Sequence, residues 1–408
     1  MSLFDKYAPL QKRIDVMEKI GRDALGVQFD DIIDATRGRI GNREILLAGT
    51  NNYLGLTFDD DCMAAAKKAI DDHGTGTTGS RIANGTYTEH VQLETAIKEH
   101  FGMPSCIVFS TGYQTNLAAI SGLAGDKDVI FMDADAHACI IDGTRLTGAS
   151  TIRFRHNSPE DLDKRLRRQG EIEGGHALVV IEGMYSMFGD IAPIDEFLDV
   201  THRHGGYLYI DEAHSYGVFG PTGCGIAEAQ GVLDKVDFIS STFSKSLASI
   251  GGFCASKHAE FEVTRKVMRP YMFTASPTPS NVCAALAAVD KIKAGNDLRD
   301  NLKARAAQLH KGLADLGYDL CADPSPVIAV RRPNEAICAM EWNWLLDNGV
   351  YVNLAVPPGT PQSSSLLRIS LSAAHTEADI NEIIAKFAEL KGLEPKLMAE
   401  LMGKIAAE

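Results

Sequence analysis

The sequence predicts an α/β fold in which a large domain, built on a mostly parallel sheet between helices, precedes a smaller α+β domain. Three features carry that reading. Between about residues 44 and 290, short apolar runs alternate with amphipathic stretches of helical period, the pattern of repeated strand–helix units. From about 291 the order changes to a long helical run, several β-like runs and a closing helix. No internal repeat, low-complexity tract or Gly/Ser-rich linker interrupts the chain. The domains are therefore expected at 44–290 and 291–408, with 1–43 as an N-terminal arm.

Taken in order, the first forty or so residues are charged and helix-like and end at the turn signal Arg37-Gly38-Arg39-Ile40-Gly41. Strands are expected at 106–110, 129–133, 151–155, 177–182, 207–211 and 237–241. Between them, 158–168 reads as a helix with Ser158 as its N-cap and Pro159 at its first position. Beyond 291 come a helix over 297–316, β-like runs at 327–331, 349–354 and 366–370, and a last helix from Glu377.

Forty Lys and Arg against 54 Asp and Glu leave a net charge of -14, which disfavours nucleic acid and anionic membrane surfaces as partners. An anionic substrate then needs a local basic site. Arg265, Lys266 and Arg269 form one such cluster, although a solvated helix face explains them equally well. The eight cysteines are scattered, with no C-x-x-C pair and no zinc-like spacing, so small core residues are expected and no metal. The opening MSLFDKYAPLQKR lacks the apolar core of a signal peptide, and no run approaches the roughly 18 apolar residues of a membrane span. A cytoplasmic protein is expected.

Ligands of open α/β sheets sit beyond the carboxyl ends of the strands, and those ends hold the chemistry-bearing residues. Ser110-Thr111-Gly112-Tyr113 is a strand-to-helix turn whose backbone N–H groups suit a phosphate. His137 follows the strand ending at Asp133. Ser186 and Asp190 follow the strand ending at Glu182 and read equally well as turn formers. Asp211-Glu212-Ala213-His214 places an acid at a strand end with a histidine three residues on; the acid suits a cationic ring nitrogen or, equally, caps the turn. In Thr242-Phe243-Ser244-Lys245-Ser246 a single lysine sits among small hydroxyls and apolar neighbours. Desolvation lowers a lysine's pKa, and the neutral amine is the form that makes a Schiff base.

Asp211, His214, Thr242 and Lys245 match in type, order and spacing the pattern of pyridoxal-phosphate (PLP) enzymes of the aspartate-aminotransferase fold type. More narrowly, the chain resembles the α-oxoamine synthases. The matching segments are Asn51-Asn52-Tyr53-Leu54-Gly55-Leu56, Gly74-Thr75-Gly76-Thr77-Thr78-Gly79-Ser80-Arg81, Phe109-Ser110-Thr111-Gly112-Tyr113, Asp211-Glu212-Ala213-His214-Ser215, Thr242-Phe243-Ser244-Lys245-Ser246 and Leu367-Arg368-Ile369-Ser370. The resemblance implies a PLP-dependent transferase fold with a seven-stranded-type sheet. It also implies a decarboxylative condensation of an amino acid with an acyl-CoA.

The resemblance further implies roles. Lys245 would hold PLP as a Schiff base and then act as the base at the substrate Cα. Asp211 would pair with the protonated pyridine nitrogen, His214 would contact the ring hydroxyl, and His137 would stack on the ring and face the substrate carboxylate. Gly112, Tyr113, Thr242 and Ser244 would surround the phosphate, with Ser186 nearby. Thr274 would reach the phosphate of a second subunit, which implies a homodimer with shared sites. Arg368 would grip the substrate carboxylate bidentately, with Asn51 or Asn52 assisting and Thr360 on a loop over the mouth of the site.

Residues 154–166, 189–193 and 269–276, with the lysine motif, resemble the soluble bacterial serine palmitoyltransferases. That points to L-serine, a long-chain acyl-CoA such as palmitoyl-CoA, and 3-ketodihydrosphingosine with CO2 as products. One departure stands out: the arginine of that pattern before the Pro-Pro-x-Thr-Pro loop is Val356 here. Alanine or glycine as the amino acid, an acyl carrier protein as the acyl donor, and a non-catalytic partner role of the same fold remain alternatives. An intact Lys245, Asp211 and His214 argue against the last.

Overall fold

The computed structural model describes residues 2–22, 26–170, 175–357, 359–360 and 363–406; Pro358 and Pro361 of the loop above lie outside them. It divides into two compact units. One comprises Met1–Asn51, Met187–Gly189 and Asn301–Glu408, the other Asn52–Ser186 and Asp190–Asp300.

The first unit opens with α1 (Ala8–Ile20), β1 (Asp31–Ile32), β2 (Arg37–Ile40) and β3 (Arg43–Leu47). The expected turn over 37–41 is a strand followed by a turn at Gly41. Alternation explains it: Gly38 lies inward against Phe29 and Leu47, while Arg39 is exposed and Arg37 meets Asp379 at 2.5 Å. β1 and β2 thus join β3 in one antiparallel run of a sheet.

The second unit follows with α2 (Asp60–His73), α3 (Thr88–Phe101), β4 (Ser105–Phe109), α4 (Gly112–Leu123), β5 (Val129–Asp133), α5 (Ala138–Arg145), β6 (Ser150–Phe154), α6 (Pro159–Gln169), β7 (Ala177–Glu182), α7 (Ile194–Arg203), β8 (Tyr207–Asp211), α8 (Ile226–Ala229), β9 (Phe238–Thr242), β10 (Gly252–Ser256), α9 (Arg269–Met272) and α10 (Pro279–Ala294). Its seven strands run in the order β4-β10-β9-β8-β7-β5-β6, and all pairings are parallel except those of β10. The expected strands at 106–110, 151–155 and 237–241 lie one residue away from β4, β6 and β9. β10 is an addition: Gly252-Phe253-Cys254-Ala255-Ser256 turns back antiparallel between β4 and β9. Alternate residues of the central strands enter two cores. Phe131, Val179, Ile181 and Ile210 pack on one face, and Ile130, Met132, Val180 and Tyr209 on the other. As expected, Ser158 caps α6, its hydroxyl accepting from the Asp161 N–H at 3.2 Å ahead of Pro159.

The first unit resumes within α11 (Asn296–Asp315) and continues through β11 (Val327–Arg332), α12 (Glu335–Asp347), β12 (Val350–Tyr351), β13 (Asn353–Ala355), β14 (Ser365–Ser370) and α13 (Glu377–Ala406). The single run expected at 349–354 is two strands that enter different sheets: β12 pairs parallel with β3, and β13 antiparallel with β14. Among the described residues no helix is long and apolar enough to cross a membrane.

Candidate active site

In the second unit, the carboxyl ends of β7, β8 and β9, the start of α4 and the loop after β5 enclose a cavity of about 190 Å³. At one end, Thr111 caps α4 by accepting from the Gln114 N–H at 3.1 Å. The first N–H groups of a helix have no intrahelical partner and attract anions. A side chain at Gly112 would overlap Thr242, so only glycine lets α4 come this close to β9. The Thr242 and Ser244 hydroxyls, 2.8 Å apart, complete a donor-rich pocket.

Asp211 ends β8 at the base of the cavity and is buried. Its Oδ1 accepts from the Ala213 N–H at 2.8 Å and its Oδ2 from Asn116 Nδ2 at 2.6 Å. His214 shares a 2.7 Å hydrogen bond between Nδ1 and the buried Tyr53 hydroxyl, which sets the plane of its ring.

His137 is the N-cap of α5, and its Nδ1 accepts from the Cys139 N–H at 3.2 Å. That backbone donor assigns the neutral ring's proton to Nε2. The outer edge of the residue is exposed, but protein desolvates the inner side of the ring. Desolvation lowers its proton affinity; the negative charge of Asp211 opposes this and the positive charge of Lys245 adds to it. The His137 N–H donates to Glu182 Oε1 at 2.7 Å. Burial first, then the charge of Asp211, push the Glu182 carboxyl well above its ordinary value.

Lys245 lines the same cavity from the turn after β9. Its carbonyl accepts from the Ala248 N–H at 3.0 Å, and Ala248 takes a left-handed φ of 50° to close that turn.

The cavity therefore gathers Gly112, Tyr113, His137, Asp211, His214, Thr242, Ser244 and Lys245. Ser186 and Thr274 do not line it; Thr274 Oγ1 accepts from Gln114 Nε2 at 3.1 Å. Asn52 lies outside it too, donating to Thr57 Oγ1 at 2.8 Å. The remaining expected residues belong to the first unit. Arg368 is buried on β14, with Nη1 2.7 Å from Ser370 Oγ and 3.4 Å from Asn51 Oδ1. The Thr360 hydroxyl donates to the Ser364 carbonyl at 2.5 Å. Arg265 is not an open basic site, because its guanidinium meets Glu94 at 2.8 Å and Glu262 at 2.6 Å.

Sequence reasoning missed Asn116, Cys139, Glu182 and Ser240, all of which line the cavity. Register could have found two of them, since Glu182 and Ser240 flank Asp211 on neighbouring strands. Asn116 follows Gly112 by one helical turn and so shares its face.

These groups fit PLP. The glycine cradle and hydroxyls suit its phosphate, Asp211 its ring nitrogen, His137 its ring face and the Lys245 amine its aldehyde. Among the described residues no cluster of His, Cys, Asp and Glu could hold a metal ion.

Residues 43–387 match the family model described as aminotransferase class I and II. A serine palmitoyltransferase of Caulobacter vibrioides is 48% identical over 390 residues, 96% of each chain. One of Sphingomonas paucimobilis is 44% identical over 367 residues, covering 90% of this chain and 87% of its own. A solved structure of a serine palmitoyltransferase variant from S. paucimobilis, with a bound PLP–myriocin aldimine, aligns at a TM-score of 0.95 and 42% identity. It covers 97% of this chain and all of that one.

Proposed function

The chain belongs to the α-oxoamine synthases of the class I and II aminotransferase family, and from that premise we propose that it condenses L-serine with a long-chain acyl-CoA. It is a PLP-dependent acyltransferase, and 3-ketodihydrosphingosine, CoA and CO2 are its products. The observation that carries this is the sharing of one cavity by the Lys245 amine, the Asp211 carboxylate, the His137 ring and the anion pocket around Gly112.

PLP, when bound, supplies an electron sink that lets the substrate Cα lose a proton. Gly112, Thr242 and Ser244 would hold its phosphate, Asp211 would keep its ring nitrogen protonated, and the Lys245 amine would bind its aldehyde and, once freed, take the Cα proton. His137 turns its Nε2–H toward the substrate carboxylate. Arg368 grips that carboxylate bidentately, with Asn51 or Asn52 assisting. A bond forms between Cα and the thioester carbonyl carbon, the C–S bond breaks as CoA leaves, the original carboxylate departs as CO2, and Cα takes up a proton in its place, with Lys245 as the donor. By the same resemblance we assign Thr360 to a loop over the mouth of the site. We further read the enzyme as a homodimer in which Thr274 serves the partner's phosphate pocket. Its eight scattered cysteines, with no C-x-x-C pair, suit the reducing cytoplasm.

Val356 favours a second reading within the family. Without the arginine of the serine palmitoyltransferase pattern, the carboxylate depends on Arg368, and a smaller amino acid, alanine or glycine, competes with serine. Titrating the PLP-loaded protein with each amino acid, then adding acyl donors, tests both. A spectral shift with L-serine and product with palmitoyl-CoA are expected. A shift with alanine or glycine alone would overturn serine as substrate, and turnover only with acyl carrier protein would overturn CoA as the acyl carrier. Loss of the visible band in Lys245→Ala checks the cofactor's attachment.

A further inference from the structure

Asn116 lies on α4, buried, with all four of its hydrogen-bonding positions used. Its Oδ1 accepts from the Tyr209 hydroxyl at 2.7 Å and the Ser240 hydroxyl at 2.9 Å. Its Nδ2 donates to Asp211 Oδ2 at 2.6 Å and toward Cys139 Sγ at 3.0 Å. A carboxylate accepts only, so the amide nitrogen must face Asp211; the two hydroxyls must then donate to the amide oxygen. The amide cannot turn over without leaving buried groups unpaired, which is costly.

Without that contact, Asp211 keeps, among the described residues, the Ala213 N–H on its other oxygen, and its carboxylate is free to swing about its last side-chain bond. With it, both oxygens are held and the plane of the carboxylate is set. The same helix begins at Gly112, four residues earlier, where its first turn borders the anion pocket. Four residues of α-helix rise about 6 Å. One rigid element therefore registers both ends of the cavity, the anion pocket and the acid.

We propose that Asn116 is a positioning residue: anchored by Tyr209 and Ser240, it fixes Asp211 at a set distance from the anion pocket, so that α4 acts as a ruler for a phosphorylated pyridine. This rests on the PLP reading above. It assigns Asn116 no contact with substrate; its effect passes through Asp211.

The test uses purified full-length protein stripped of cofactor and titrated with PLP. Asn116→Leu keeps volume and removes the amide, and Tyr209→Phe/Ser240→Ala removes both anchors while leaving the amide in place. Asn116→Leu is expected to raise the PLP dissociation constant roughly ten- to hundredfold and to displace the pH midpoint of the visible absorption band. The double variant should move both in the same direction by less. A merely structural role would lower the melting temperature without moving the midpoint. Parental affinity and midpoint in Asn116→Leu overturn the proposal. Should that variant not fold, parental values in the double variant overturn it as well. If the parent itself takes up no PLP, the functional reading falls; if the parent binds and the variants match it, only this inference does.

Discussion

Glu182 and Asp211 stand directly opposite one another at the carboxyl ends of β7 and β8, two buried carboxyl groups on one edge of the cavity. Burial and the charge of Asp211 raise the Glu182 pKa there, and its Oε1 accepts from the His137 N–H at 2.7 Å. A glutamine is isosteric with the protonated acid and keeps that acceptor. Glu182→Gln should therefore retain activity within about fivefold, roughly 1 kcal/mol. The pH dependence gives a sharper check. A carboxyl whose folded pKa exceeds its unfolded value of about 4.3 contributes stability that is complete below that pH and lost as pH rises toward the folded value. Glutamine has no such loss, so urea midpoints should show the variant gaining on the parent from pH 5 to pH 9.

His156 carries a linkage of the same sign, because its folded pKa is also raised. Its Nδ1 lies 2.8 Å from Asp133 and its Nε2 2.9 Å from Asp190, and its ring packs edge-on against Tyr185 at 4.5 Å. Burial opposes the charge, but the two carboxylates overcome it and raise the pKa to about 10. The stability it contributes is complete below its unfolded value of about 6.5 and lost between there and about pH 10. His156→Gln should cost roughly 3–5 kcal/mol near pH 6, with the difference from the parent narrowing toward pH 10. A difference that stays constant with pH would contradict this charge assignment.

Arg265 holds Glu94, a buried acid that also pairs with Arg81 at 3.1 Å. Arg265→Gln leaves that acid short of a partner and should lower stability by roughly 3–5 kcal/mol. Because this arginine is committed inside the protein, KM for acyl-CoA should not change. A large rise in KM would restore it as part of an anion site.

Gly112→Ala should separate α4 from β9, since the added methyl has Thr242 in its place. Overpacking of this kind costs about 1–3 kcal/mol. The PLP dissociation constant should rise with it, measured by titrating the stripped protein. The neighbouring Tyr113→Phe keeps the backbone and serves as the comparison for lost side-chain contacts.

Much of the site was legible because its chemistry sits at strand ends. Apolar runs ending at Asp133, Glu182 and Asp211 were readable as strands, and the last two of those ends line the cavity. Lys245, His137 and His214 followed from their offsets beyond those ends. No strand was expected over 252–256, where Gly251 and Gly252 weaken the local strand pattern; hydrogen bonding to β4 and β9 makes it one.

The sequence by itself determined the fold class and the residues that carry the chemistry, because hydrophobic period and residue type are local properties of the chain. Tertiary structure alone decided which of them meet. It set Glu182 beside Asp211 through strand register, and delivered Asn116 to Asp211 from a helix 95 residues away in the chain. It left Ser186, Asn52 and Thr274 off the cavity lining and neutralised Arg265 against Glu94. Those outcomes depend on packing between distant segments, where each buried polar group must find a partner, and no local pattern records which partner that is.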